Sequence, residues 1–156
     1  MSSSRFNKNG PNFVPAYQIS GVPYVTSSAG SHGEAPVTHI KFPNVTKSLM
    51  IANTSNFGLR VAFTKSGSYG PGEKQENGET TAASHQANYF LILPGEGDAG
   101  EQKSKPTVFD VRCTEVFLRS NSASSPAGFS LFAALTGIEK DHFPTITGSN
   151  EFEGVG

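Results

Sequence analysis

No segment of this chain repeats apolar residues at the three-to-four-residue spacing of an amphipathic helix. They gather instead into short runs, rich in β-branched and aromatic side chains, that end on Gly, Pro, Asn or Ser. That pattern builds strands. Eight are expected, over residues 17–26, 37–42, 46–53, 58–64, 88–93, 107–113, 114–119 and 128–136. Gly21 and Pro23 interrupt the first, which must be bent, bulged or at a sheet edge. In the third, Leu49 and Ile51 alternate with Met50 and Ala52, so neither face is strongly polar and both are expected to be covered. In the fourth, Leu59, Val61 and Phe63 face one way and Arg60 and Thr64 the other. Between the sixth and seventh the apolar parity changes, from Phe109, Val111 and Cys113 to Val116 and Leu118. A one-residue change of parity predicts a bulge or tight corner near Thr114-Glu115. The best helical candidate is a turn or two inside 79–87.

Eight short strands with turn residues between them predict an all-β antiparallel sandwich or barrel, and eight is the strand count of a single jelly roll. With 156 residues the chain suits one domain. The organisation expected is an N-terminal arm (1–16), a jelly-roll domain (17–147) and a C-terminal tail (148–156), with long loops. The interval 65–87 is long for a loop in a compact domain, so it is functional or hides an element. Its Gly-rich start and its Glu73, Glu76 and Glu79 read as an exposed excursion. A second acidic loop spans 95–101.

Several function classes are poorly served. Lys and Arg total 12 against 13 Asp and Glu, a net charge of −1, which leaves no electrostatic footprint for nucleic acid. The longest apolar runs, such as Phe90-Leu91-Ile92-Leu93, fall far short of the ~20 residues of a membrane span. The single Cys113 has no partner for an internal disulfide and reads as a buried small hydrophobe. His32, His39, His85 and His142 lack the His-x-His pairing of a cupin-like metal site, and His32 with Glu34 is too little for one. No Gly-x-Ser-x-Gly elbow or phosphate-cradling loop occurs. The carboxylates sit in Gly-rich loops that hold no tuned pair. Asn44-Val45-Thr46 and Asn53-Thr54-Ser55 read as chance matches to the glycosylation sequon. The chain is therefore read as a non-enzyme, with no cofactor and no metal.

Aromatic residues outside the strands are the remaining signal. Phe6, Phe13, Phe57, Tyr69, Phe143 and Phe152 fall in tails or loops, where they either cap the sandwich or anchor contacts with neighbouring subunits. Together with Arg5, which can meet an acidic neighbour, they form the candidate interface.

The segments Phe13-Val14-Pro15-Ala16-Tyr17, Gly21-Val22-Pro23-Tyr24-Val25-Thr26-Ser27, Thr114-Glu115-Val116-Phe117-Leu118-Arg119-Ser120 and Gly128-Phe129-Ser130-Leu131-Phe132-Ala133-Ala134-Leu135-Thr136-Gly137-Ile138 carry a resemblance. In their order along most of the chain, and with the closing Thr147 to Gly156, they resemble small capsid proteins of large eukaryotic double-stranded DNA viruses. The nearest class is the single jelly-roll penton, or vertex, protein. The resemblance implies a homopentamer closed by heterologous contacts, neighbouring major and minor capsid proteins as partners, and a place in the virion. The start Met1-Ser2-Ser3-Ser4-Arg5 lacks the apolar stretch of a secretory signal, so synthesis inside the host cell is expected. Two alternatives stay open. One is a carbohydrate- or receptor-binding module, a lectin or fibre tip, reading glycans through loops 65–87 and 95–106 with Tyr69 and Phe57 as platforms. The other is a cupin-like metalloenzyme.

Overall fold

A computed structural model describes residues 21–28, 37–95, 105–147 and 154–155. Among the described residues there are eight strands: β1 (Val22–Ser28), β2 (Thr38–Lys41), β3 (Asn44–Asn53), β4 (Leu59–Ala62), β5 (Tyr89–Ile92), β6 (Thr107–Phe109), β7 (Glu115–Ser120) and β8 (Phe129–Glu139). They form two four-stranded antiparallel sheets, ordered β1-β8-β3-β6 and β2-β7-β4-β5, so the protein is an all-β sandwich. The pairings are nested: β1 lies on β8, β2 on β7, β3 on β6 and β4 on β5. The first half of the chain thus runs back along the second. The contacts β3–β8 and β4–β7 join these hairpins into sheets.

The core lies between the sheets. Leu49 and Ile51 from β3 and Leu131 and Ala133 from β8 meet Leu59 and Val61 from β4 and Val116 and Leu118 from β7, all of them at most 1% exposed. Each such Leu, Ile or Val side chain contributes about 1.5–3 kcal/mol on burial. The change of parity near Thr114 marks the passage of the chain from the first sheet to the second, whose inward faces point in opposite directions. The crossing is pinned to its neighbour: Phe42 N–H donates to Thr114 O (2.8 Å) and Thr46 N–H to Cys113 O (2.9 Å). The Thr46 hydroxyl accepts Cys113 N–H (2.9 Å) and donates to Val111 O (2.8 Å). The irregular pairing needed for this falls in β3, whose register against β8 shifts on either side of Thr46.

Three expectations are corrected. Residues 79–87 form no helix; the chain there pairs Thr80 with Lys74 in a small hairpin, and the short 3-10 turns are Ser66–Ser68 and Lys140–His142. β3 is covered on one face only, since Met50 is 40% exposed. The segment 65–87 is an exposed excursion only in part: Gly67 to Gly70 and Thr81 are buried and Glu73 partly so, forming a packed cover, while Glu76, Glu79 and most of 71–87 are exposed. Strand β1 is described from Val22 and is indeed an edge, where the missing N–H of Pro23 costs no central ladder bond.

Candidate interaction surfaces

The two sheets turn very different outer faces to their surroundings. On the second sheet, Arg60 of β4 and Arg119 of β7 are direct cross-strand partners. Like charges so placed repel unless something sits between them. Glu73 does. Its carboxylate takes two hydrogen bonds from Arg60, from Nη1 and Nη2 at 2.7 Å each, and one from Arg119 Nη1 at 2.9 Å. The Gly70 N–H adds a further bond at 2.9 Å. Arg60 also donates from Nε to Asn121 Oδ1 (2.8 Å) and lies 4.5 Å over the Tyr89 ring, as Arg119 lies 4.5 Å over Tyr69. Burial pushes the Glu73 carboxyl up, but the bond from Arg60, the Gly70 N–H and the charges of both arginines outweigh it and hold the group below its ordinary 4.5.

Local turn chemistry delivers Glu73 to that place. Strands β4 and β5 stay in one sheet, so the long segment between them folds back over that sheet's outer face. Gly72 and Gly78 both have positive φ, in a Pro71-Gly72 turn and at the end of the Asn77-Gly78 turn of the hairpin. Glu73 N–H donates to the Thr81 hydroxyl (2.9 Å), which donates to Gly70 O (2.6 Å). Glu76 accepts the Val37 N–H (2.6 Å) and pairs with Lys65 (2.5 Å), tying the hairpin to the start of β2. Beneath it Val37, Ala62, Tyr69 and Phe117 form a second apolar cluster. The Thr64 hydroxyl donates to the carbonyl of Val155, which brings the C-terminal end against the same side.

Cys113 is 1% exposed and burial pushes its thiol up to about 11, despite an opposing hydrogen bond from Thr46. His39 stacks on Phe117 at 4.2 Å and bonds Glu115 at 2.7 Å. Among the described residues no three His, Cys, Asp or Glu side chains group to hold a metal ion. A depression of about 320 Å³ lies beside the Arg60–Glu73–Arg119 cluster, lined also by Lys74 and Asn121. Both carboxylate oxygens of Glu73 are taken within the cluster. Asn53, the first sequon residue of its triplet, is buried and spends its amide on Phe57 O (2.7 Å) and Ile92 O (3.1 Å).

On the first sheet the strand registers align Val25 with Phe132, Phe132 with Met50, and Met50 with Val108. This row crosses all four strands on the outer face, and its members are 68%, 41%, 40% and 55% exposed in that order. The adjoining rows are Ser27, Ser130, Ala52 and Pro23, Ala134, Ser48. None of these ten residues carries a charge. Along the open edge between β5 and β6, Phe109 meets Phe90 at 5.4 Å and Phe63 at 6.5 Å, edge to face.

Of the predicted interface residues, the three among the described residues, Phe57, Tyr69 and Phe143, are not brought together. Phe57 is 41% exposed in the turn after β3, while Phe143 follows β8 and is half-buried against Val45 and Ile138. Because β3 and β8 are antiparallel, those two lie at opposite ends of the sandwich. Tyr69 is 2% exposed, a correction: it anchors the cover from beneath and offers no platform or contact surface. Arg5, Phe6, Phe13 and Phe152 lie outside the described residues. The row of Val25, Phe132, Met50 and Val108 was missed, because only the register assembles it; its trace in the sequence is the absence of charge from 48–52 and 128–138. Compared with protein families, curated proteins and solved structures, the chain finds no match.

Proposed function

We propose that this chain is a structural subunit of a virus particle, a penton-type vertex protein that works through subunit contacts and without catalysis. The observation that carries this reading is the strand order. Nested pairing of β1 with β8, β2 with β7, β3 with β6 and β4 with β5, split between two sheets, is how a single jelly roll winds. That order agrees with the fold that the resemblance implies, and three of the segments bearing the resemblance fall on β1, β7 and β8. Exposed large hydrophobic residues agree with a contact-making role. Val22, Val25, Met50, Val108 and Phe132 belong to the first sheet, and Phe90 and Leu93 lie at the β5 edge. Apolar surface concentrated in this way marks interaction sites. On this reading five copies close a ring, major and minor capsid proteins flank it, and the protein resides in the virion.

The lectin alternative loses its best support with the burial of Tyr69. The test is native mass across a concentration series. A closed ring of five 16.5 kDa chains supports the proposal. A trimer would turn the reading to a receptor-binding tip, and a monomer that adds to no shell of capsid proteins would end it.

A further inference from the structure

We propose that Asn77 is a deamidation site, guarded by the hairpin it turns, and that its conversion loosens the cover over the second sheet. The inference stands apart from the capsid reading, since it concerns the chemistry of a single turn. Asn77 and Gly78 are both exposed at the tip of the hairpin. Among the described residues nothing lies within 4 Å of the place a Cβ on Gly78 would take, so water and hydroxide reach the turn freely. Asparagine before glycine is the pair best suited to this chemistry, because a residue without a side chain leaves its nitrogen open to the neighbouring amide carbon.

The step needs only water. The Gly78 nitrogen gives its proton to hydroxide and bonds to Asn77 Cγ, and the Cγ–Nδ2 bond breaks as ammonia leaves. Water then opens the resulting succinimide ring. Cleavage between Cγ and the nitrogen gives aspartate; cleavage at the Asn77 main-chain carbonyl gives isoaspartate, with the chain now running through Cγ. Three hydrogen bonds hold both reacting groups back. The Gly78 N–H, whose proton must leave, donates to Gln75 O (3.0 Å). The Asn77 amide is clamped by Glu79: Nδ2 donates to Glu79 Oε2 (2.9 Å) and Oδ1 accepts the Glu79 N–H (3.1 Å). Ring closure takes both groups out of these bonds, so conversion follows local opening of the turn.

The same bonds say what conversion does. With Nδ2 gone, a carboxylate at position 77 faces the Glu79 carboxylate that the amide had donated to, and like charges so close repel. An isoaspartate also lengthens the main chain of a turn closed by Gln75 N–H to Glu79 O at 2.7 Å. Glu73 and Glu76, which fasten the cover to Arg60, Arg119, Lys65 and Val37, lie beside and within this hairpin.

The test holds the full chain at pH 8 in buffer and in guanidinium chloride, then follows the tryptic peptide 75–103 by mass for amide-to-acid conversion, fragment masses placing it at 77. A second pair, Asn9-Gly10, falls in another peptide and lies outside the described residues. Expected is conversion at Asn77 roughly tenfold or more slower in buffer than in denaturant. It should be severalfold faster in folded Glu79→Ala than in the folded wild type. The converted protein, separated by its additional negative charge, should have a lower urea midpoint than the unconverted fraction. Equal rates in buffer and denaturant overturn the proposal, as does a rate in Glu79→Ala no faster than in the wild type. So does a converted protein with an unchanged midpoint, or no conversion at 77 even in denaturant.

Discussion

The two sheets of this sandwich solve opposite problems. The outer face of the second sheet presents two arginines side by side, and the segment between β4 and β5 is spent covering them with Tyr69, Glu73 and a hairpin. The outer face of the first sheet presents an uncharged, partly aromatic surface that no described residue covers. Polarity of an outward position thus does not decide its exposure. Arg60 and Arg119 are 6% and 4% exposed, while Phe132 is 41% exposed. What decides is which connection passes over the face, and that is set by whether successive strands stay in one sheet or change sheets.

Removing the cover's anchors should have the largest effects. Tyr69→Ala is expected to cost about 4 kcal/mol, as for other fully buried aromatics, read as a fall in the urea midpoint. Tyr69→Phe is expected to be near neutral, because the buried phenol oxygen has no hydrogen-bond partner among the described residues. Glu73→Ala leaves two adjacent guanidinium groups without their shared carboxylate. It should cost about 3 kcal/mol, the low end for a broken buried pair because the Glu73 side chain is 29% exposed.

Acid should act on the same clasp, more gently. The folded pKa of Glu73 is depressed, so its contribution is complete above about pH 4.5 and is lost as pH falls through the folded value. Glu76, held low first by its bond from Lys65, moves in the same direction. Urea midpoints measured from pH 6 down to pH 2 should therefore fall, and the fall should be shallower in Glu73→Gln. An equal slope in that variant would remove the clasp from the account. The smallest effect belongs to a position away from the clasp: Lys47→Ala, at an exposed position of β3, should change stability by less than about 0.5 kcal/mol.

The contrast between the faces also shows what the sequence can disclose. All eight strands were visible, because strand residues announce themselves locally by branching, alternation and flanking turns. The sheet crossing was visible too, as the parity change between Cys113 and Val116. The cover was not. Its logic is long-range: Glu73 reaches Arg60 and Arg119, 13 and 46 residues away, and no local pattern encodes that meeting. A helical turn or two was expected within 79–87, and a local signal was available against it. Asn77-Gly78 is a hairpin turn, and it pairs Thr80 with Lys74. Likewise the apolar row on the first sheet exists only once four strands are in register. Of the seven residues chosen as an interface from their placement in loops and tails, Tyr69 shows why loop position is a poor guide to exposure.

Hydrogen exchange of the native protein tests the central claim most directly, that residues 65–81 form a built cover over the second sheet. The amides of Gly70, Glu73, Gln75 and Thr81 all donate within the cover. The account requires them to be protected in the wild type and to lose that protection in Glu73→Ala, while β3 and β8 keep theirs. Exchange in the wild type at the rate of an unstructured peptide would contradict it.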